Sequence, residues 1–159
     1  MIGYKATYNG KCINQLYEVG QTYTLDGEME ICKRGFHFCE DLYTVFFYYP
    51  ENKNIKVFKV EALGNTETVY GKSVTDKIKI LEELNLSNMV VEKNGYKKYF
   101  DNNCNLIKEE YSYGYWVKYE YNENGDRIKR EDSKGYWEKC EYDENSNPIK
   151  LINGKGLSI

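Results

Sequence analysis

The sequence has no apolar run near the roughly 18 to 20 residues that a membrane span requires, and its first five residues lack the charged-then-apolar order of a secretory signal peptide. We therefore expect a cytoplasmic protein without membrane contact. Its 22 Lys and Arg against 25 Asp and Glu give a net charge of −3, without the basic excess typical of nucleic-acid binding. At 159 residues and a mean hydropathy of −0.75, the chain has room for one or two small domains.

Histidine and paired cysteines are also scarce. The five cysteines are an odd number without Cys-x-x-Cys spacing, which favours reduced thiols over a disulfide framework or a zinc ribbon. The one dense group of metal-ligating side chains is Cys32, His37 and Cys39, and no fourth ligand is evident. If residues 35–38 are extended, His37 and Cys39 share the face opposite Phe36 and Phe38. We therefore predict buried structural thiols, no metal and no cofactor.

Tyrosine is abundant, with 17 residues, and from about residue 89 the aromatic residues recur with a fixed period. The segment Gly114–Lys129 returns as Gly135–Lys150 at an offset of 21 residues, and a degenerate copy runs from Asn94 to Lys108. Residues 1–88 show no such period. We predict an α+β, mainly β protein: a small N-terminal α+β domain over 1–88, followed by an antiparallel meander of three β-hairpin repeats over 89–159.

Each repeat has the pattern of a hairpin. Alternating apolar and aromatic residues lie together on one face of a strand, and an Asx-rich turn follows. Asn124-Gly125 suits a turn with positive φ, whereas Cys104 and Ser146 occupy the glycine position of the other two copies at a cost of about 1 kcal/mol each. The residues expected on the apolar face of the middle strand are Tyr115, Val117, Tyr119 and Tyr121.

The opposite face of the repeats carries tryptophan. Trp116 and Trp137 occupy equivalent positions, and exposed aromatic residues often anchor partners. A second possibility is that these rings are covered by the other domain or stack on one another. The residues that we predict to bind a partner are Trp116, Trp137, Tyr115, Tyr136, Lys118 and Lys139.

Residues 94–150 resemble the tyrosine-aspartate (YD) repeats of the RHS family, in which an aromatic strand is followed by a turn like Tyr121–Asp126 and a returning strand like Arg127–Lys129. Such repeats usually serve as scaffold or shell. Three copies are too few to enclose a toxin, so the resemblance implies a small interaction surface.

In the N-terminal segment, one helix stands out over Glu40–Pro50, because acidic residues precede it, apolar residues recur on one side, and proline ends it. Residues 73–84 fit a strand and a helix equally well. The strands that we predict are Gly3–Tyr8, Gln21–Leu25, Glu28–Cys32, Ile55–Leu63 and Thr66–Tyr70.

The segments Tyr17–Tyr23, Cys32–Glu40, Val60–Gly64 and Lys72–Ile78, with the Tyr-Tyr-Pro that ends at Pro50, resemble a family of uncharacterised domains found in phage and prophage proteins. The likeness spans about residues 2–84. It implies a phage context, in a host-cell cytoplasm, and no particular chemistry.

An enzyme is the alternative. The block Gly35–Glu40 that enters an aromatic helix, with a later Glu61, is similar to ADP-ribosyltransferase folds. That resemblance implies Tyr43 or Phe47 against a nicotinamide, His37 or Lys5 on phosphate or ribose, and Glu61 on the ribose hydroxyl. Phe38–Glu40 stands where a Ser-Thr-Ser type triplet is expected, and a domain of about 85 residues is small for a dinucleotide site of several hundred Å³.

We therefore predict a non-enzymatic module that binds a protein partner, such as a host or antiviral-defence component, which it would inhibit. A further alternative is single-stranded nucleic acid stacked on aromatic and basic residues of the repeats. Residues 94–159 carry 11 Lys and Arg against 12 Asp and Glu, so no basic groove is implied and this partner is disfavoured. The basic and aromatic residues of this alternative are Tyr115, Lys118, Arg127, Lys129 and Arg130.

Overall fold

The computed structural model describes residues 1–12, 15–49 and 55–154, and the chain divides into two compact units, Met1–Asn85 and Leu86–Ile159. The described residues are mainly strand with antiparallel pairing, which confirms the predicted fold class. The elements are β1 (Ile2–Tyr8), β2 (Lys11–Cys12), β3 (Gln15–Leu16), β4 (Thr22–Thr24), β5 (Phe36–Cys39), α1 (Leu42–Tyr48), β6 (Ile55–Ala62), β7 (Thr66–Val69), β8 (Lys72–Thr75), β9 (Lys77–Glu83), β10 (Val90–Lys93), β11 (Tyr96–Phe100), β12 (Leu106–Glu110), β13 (Trp116–Tyr121), β14 (Arg127–Asp132), β15 (Trp137–Tyr142) and β16 (Pro148–Asn153).

The first unit is built on one curled sheet with the strand order β4-β9-β6-β1-β5-β8-β7. β9 is second in this order and β8 is second from last, yet only Asp76 separates them in the chain. A single residue spans a few ångströms, so the sheet must roll until these two strands meet. The inner face of the roll holds the core, whose buried members are Tyr17, Phe36, Phe38, Phe58, Val60, Ala62, Ile78 and Ile80.

The predicted helix is present as α1, and it packs against β1 and β5. Asp41 is its N-cap, with Oδ1 accepting from the Thr44 N–H and Oδ2 from the Thr44 hydroxyl, each over 2.8 Å. Val45 and Phe46 are buried. Pro50, which was expected to end the helix, lies outside the described residues; the helix ends at Tyr48, before it.

The structure corrects one local prediction and decides a second one that the sequence left open. The predicted strand Glu28–Cys32 is wrong, because the chain turns there: the N–H groups of Lys33 and Arg34 both bond to the Glu30 oxygen, and Cys32 has φ +66. Residues 73–84, which fitted two patterns, form β8 and β9. The sheet resolves the ambiguity, since Ile78 on β9 is fully buried against the curled core.

The second unit is a seven-stranded meander with the order β10-β11-β12-β13-β14-β15-β16, so each predicted repeat is a hairpin of neighbouring strands. The register shifts once per repeat, beside Tyr99, Glu120 and Glu141, at the same 21-residue spacing. The glycine position of each Asx turn has positive φ as expected: +63 at Cys104, +79 at Gly125 and +62 at Ser146. The repeated turn chemistry thus fixes a repeated backbone geometry.

The core of the meander is small and lies towards its N-terminal strands. Its buried apolar residues are Leu86, Val91, Phe100, Leu106 and Val117. Lys98 is buried beside them and forms an ion pair with Glu109 over 2.5 Å. The later hairpins have no fully buried side chain among the residues described, so their stability depends on half-buried aromatic and charged pairs across strands.

Within the described part of the chain, no helix combines the length and the apolar character that crossing a bilayer requires.

Candidate ligand pocket and tryptophan face

The wall of the first unit opens between β1 and β5. β1 pairs with β6 along all seven of its residues, whereas it pairs with β5 at one position, Tyr4 opposite Cys39. Gly3 lies at this closed end, where a Cβ atom would clash with Phe38 Cδ2 and stand 2.6 Å from the Cys39 oxygen. Glycine therefore permits the close approach at one end, and the strands diverge from there.

A cavity of about 640 Å³ occupies this opening. The volume falls within the range of small-molecule sites. The splayed strands create this space in a domain of about 85 residues, which is small for a dinucleotide site. The lining comes from both faces of the sheet, because the opening passes through it. The lining residues that matter below are Lys5, Cys12, Tyr17, Cys32, Arg34, His37, Cys39, Tyr48, Tyr49 and Lys72.

Lys5 is the most unusual lining residue. It lies on β1 with 3% of its surface exposed. Its Nζ donates to the main-chain oxygen of His37 over 2.9 Å and sits 4.8 Å from the centre of the Tyr17 ring. Burial lowers the pKa of Lys5; nearby Cys12 and Cys39 oppose that shift and Lys72 adds to it. A lysine buried against neutral groups is an energetic cost to the fold, which is typical of a functional position.

The pocket is also cationic, and its described lining includes no Asp or Glu. Arg34 donates from its guanidinium to the Asp26 main-chain oxygen, and Lys72 lies 3.6 Å from Cys32 Sγ and 5.2 Å from the centre of the Tyr48 ring. These contacts are to neutral acceptors and π faces.

Three other lysines of the same unit have carboxylate partners. Lys56 pairs with Glu83 over 2.9 Å, and Lys59 with Glu82 over 3.4 Å, across β6 and β9. Lys33, at the outer edge of the pocket, pairs with Glu30. Among the described residues, Lys5, Arg34 and Lys72 thus lack the carboxylate contact that Lys33, Lys56 and Lys59 have.

His37 is held in its neutral form. Its Nε2 accepts from the Cys32 N–H over 2.8 Å, which requires an unprotonated nitrogen. Burial lowers its pKa, as do the charges of Lys72 and Lys5, while a hydrogen bond with the Gly35 main chain works in the opposite direction. His37 therefore shapes the turn at Cys32 and adds no positive charge to the pocket at neutral pH.

Aromatic rings complete the pocket wall. Tyr17 is buried and packs edge-on against Tyr23 and Phe36, with ring centres 5.1 and 6.5 Å apart. The Tyr49 hydroxyl lies 3.9 Å from Cys12 Sγ. Burial raises the pKa of both tyrosines above the ordinary value, so their hydroxyls stay protonated. The rings offer flat apolar surface beside the cations.

Of the residues predicted for an enzyme, His37 and Lys5 line the pocket, whereas Glu61 and Tyr43 are outside its described lining. Glu61 lies on β6 opposite Ile2 and Lys79. Sequence reasoning missed Arg34 and Lys72. An available signal was the acid-free run Cys32–Cys39, which contains two cations and the histidine.

The cysteines differ from the prediction of buried thiols. Cys39 is buried, but Cys32 is exposed in its turn. No group of three or more His, Cys, Asp or Glu side chains could hold a metal ion within residues 1–12, 15–49 and 55–154.

The meander places four of the six predicted partner-binding residues on one face. Lys118 pairs with Glu131, which pairs with Trp137, so these three form a row across β13, β14 and β15. Trp116 precedes this row, with the Lys118 ammonium 4.7 Å from its ring centre. We call Trp116, Lys118, Trp137 and Lys139 the tryptophan face.

Tyr115 and Tyr136 belong to the other side of the sheet. Their hydroxyls donate to Asp132 and Glu138, over 2.8 and 3.0 Å. Asp132 pairs with Val117, whose side chain alternates with that of Trp116. The six residues therefore do not form one continuous surface, and the two tryptophans lie two strands apart, about 10 Å across the sheet.

No curated protein and no solved structure matches the chain. Residues 1–92 match the model of one family, described as a domain of unknown function, DUF7666. This match includes the whole first unit with its pocket and extends into β10. Because it covers more than half of the sequence, the chain belongs to the DUF7666 family.

Proposed function

We propose that the first unit binds a small anionic ligand with a flat aromatic or apolar part in the pocket between β1 and β5. One observation carries this proposal: Lys5, Arg34 and Lys72 line a cavity of about 640 Å³ and are held by neutral acceptors. A bound anion would supply the missing opposite charge, and charge-assisted hydrogen bonds in a sheltered site are strong.

The test is binding of AMP and NAD, measured by calorimetry and by the shift of the unfolding midpoint. We expect at least one of them to bind, with affinity that falls as salt rises. Lys72→Gln should weaken binding by about tenfold or more, because a charged hydrogen bond contributes roughly 1.5 to 3 kcal/mol.

Lys56→Gln is the matched control. It removes one lysine charge from the same unit, at a position already neutralised by Glu83. Equal losses for the two variants, or no binding of either nucleotide by the wild type, would refute the pocket as an anion site. The NAD arm also tests the ADP-ribosyltransferase alternative, for which Glu61→Gln should remove NAD turnover.

A second candidate function is binding of a protein partner through the tryptophan face, because Trp137 retains 37% of its surface exposed on a single-layered sheet. The resemblances to phage domains and to YD repeats support a host or antiviral-defence protein as this partner, which the chain would inhibit. This proposal is independent of the pocket.

Replacing Trp116 and Trp137 together by alanine should abolish capture of that partner from host lysate, while the first unit keeps its circular dichroism. Leu151→Ala is the matched control: this residue pairs with Cys140, which alternates with Lys139 of the tryptophan face, so Leu151 lies on the other side. Capture that survives the double substitution would show that the tryptophan face is not the surface used.

A further inference from the structure

Lys5 combines three properties that are rare in one lysine. It is almost fully buried, it lines a cavity, and its nitrogen contacts a main-chain oxygen and an aromatic face, with no carboxylate contact among the residues that the structure describes. A lysine that serves only to stabilise a fold usually extends to solvent or pairs with an acid. Lys5 does neither.

The surroundings of Lys5 favour its free amine. Burial penalises the ammonium form and the positive charge of Lys72 adds to the penalty, while Cys12 and Cys39 oppose it; the net effect is a lowered pKa. The free amine is nucleophilic, and lysines in desolvated pockets beside a second cation are the ones that react with carbonyl groups. One hydrogen bond to the His37 oxygen uses one N–H of Lys5 and leaves the nitrogen lone pair available.

The rest of the pocket suits a ligand that brings a carbonyl to this amine. Lys72 and Arg34 can hold an anionic group, and the rings of Tyr17 and Tyr48 can face a planar group. Both features restrict the ligand's position, and restricted position is what makes an amine and a carbonyl react efficiently.

We propose that Lys5 forms an imine with an anionic ligand that carries an aldehyde or ketone on a planar framework; this rests on the proposed function of the pocket. The Nζ lone pair attacks the carbonyl carbon to give a carbinolamine. The C–O bond of the carbinolamine then breaks. The former carbonyl oxygen leaves as water with the two protons of the amine, and a C=N bond joins Nζ to the ligand. No oxidant or reductant takes part.

The experiment uses the full chain with pyridoxal 5′-phosphate as the probe, since it has a phosphate, a planar ring and an aldehyde. Pyridoxine 5′-phosphate is the matched control ligand, because an alcohol replaces the aldehyde. Binding of each is measured by calorimetry. The imine is then reduced with borohydride, and the modified peptide is identified by mass spectrometry.

We expect both compounds to bind, and the reduced adduct to form on Lys5 at least about tenfold faster than on any other lysine, because bound ligand holds its aldehyde beside this amine. In Lys5→Arg, pyridoxine phosphate should still bind and the adduct should be lost. In Lys77→Arg, which changes an exposed lysine of β9, neither should change.

The outcomes separate the two proposals. If neither compound binds, the proposal that the pocket binds an anion is refuted, and the imine with it. If both bind and the adduct spreads over surface lysines without preference for Lys5, the pocket stands and the imine is refuted. The peptide analysis is done on the wild type, so a failure of Lys5→Arg to fold would leave this result intact.

Discussion

The amino group of Lys5 donates to the main-chain oxygen of His37, and this bond crosses the opening where β1 and β5 separate. It links one strand to the next by a side chain, at a point where the regular ladder between them has ended. The same amine lies over Tyr17 on the inner face of the curled sheet. The two contacts hold Lys5 at the pocket without neutralising it.

Replacing Lys5 by methionine should weaken anion binding, which Lys72 and Arg34 still support, without lowering the stability of the first unit. Methionine fills similar volume and removes the cost of burying an amine. The folded-state pKa of Lys5 lies below 10.5, so burying the protonated amine costs free energy. This cost is largest at low pH, where Lys5 is protonated in both the folded and the unfolded protein. Its contribution grows as pH rises from the folded-state pKa to about 10.5.

The measurement is the free energy of unfolding of wild type and Lys5→Met by urea, followed by circular dichroism between pH 6 and 10. Tryptophan fluorescence identifies the transition of the second unit, because both tryptophans of the chain lie there. The difference in unfolding free energy between the two proteins should shift in favour of the wild type as pH rises. A difference that does not change with pH would contradict this account of Lys5.

His37 should titrate below the ordinary histidine pKa of 6.5. Its protonation requires loss of the Cys32 N–H bond and adds charge beside Lys72 and Lys5. The lowered pKa means that His37 stabilises the fold fully above pH 6.5, and that this contribution is lost as pH falls through the folded-state value.

Proton NMR measures this titration directly, since His37 is the only histidine. A phosphate compound that binds in the pocket should raise the His37 pKa, because its negative charge offsets that of the lysines. A pKa at or above 6.5 in the unliganded protein would contradict the assigned hydrogen bond. His37→Gln should have a flatter dependence of stability on pH between 5 and 7.

The sequence predicted the meander well and the pocket poorly, for physical reasons. The 21-residue period repeats one strand, one Asx turn and one return, so local patterns near Asn124-Gly125 carry the structure. The pocket depends on contacts between distant segments, such as Gly3 against Phe38 and Lys5 against His37. Nothing next to Lys5 in the chain signals that it is buried. The wrong strand at Glu28–Cys32 has the same origin, because the turn there is fixed by Glu30 and His37.

The Asx turns allow a graded test of left-handed backbone strain. Cys104→Gly should raise the free energy of unfolding of the meander by about 1 kcal/mol, because glycine adopts φ +63 without a steric penalty. Ser146→Gly should gain less, since it also removes the hydroxyl hydrogen bond to Asp126 Oδ2 over 2.8 Å. Gly125→Ala should lose about 1 kcal/mol.

Tryptophan fluorescence during urea unfolding measures all three variants. Cys104→Gly should be the most stable, followed by Ser146→Gly, which should lie close to or slightly above the wild type. Gly125→Ala should be the least stable. If Cys104→Gly destabilises the meander, backbone strain at this position is smaller than the loss of the cysteine side chain.

The ion pair of Lys98 and Glu109 should be the most sensitive point of the meander. Glu109 accepts from the Lys98 ammonium through one oxygen and from the Tyr119 hydroxyl through the other, over 2.5 and 2.7 Å. Burial and this hydrogen bond raise the pKa of Tyr119, so its hydroxyl remains a donor. Glu109→Gln keeps the volume and an acceptor for Tyr119 but removes the negative charge that the buried Lys98 ammonium contacts. We expect a loss of about 3 kcal/mol.

The double variant Lys98→Met/Glu109→Leu separates the value of the pair from the cost of breaking it. Replacing both charged groups by apolar ones should recover most of the stability that Glu109→Gln loses, because no charge then remains in the small core around Val91 and Val117. Lys150→Gln, which breaks the exposed pair with Glu141, is the control and should change the unfolding free energy by less than about 0.5 kcal/mol. A loss for Glu109→Gln no larger than this control would mean that solvent reaches Lys98 in spite of its burial.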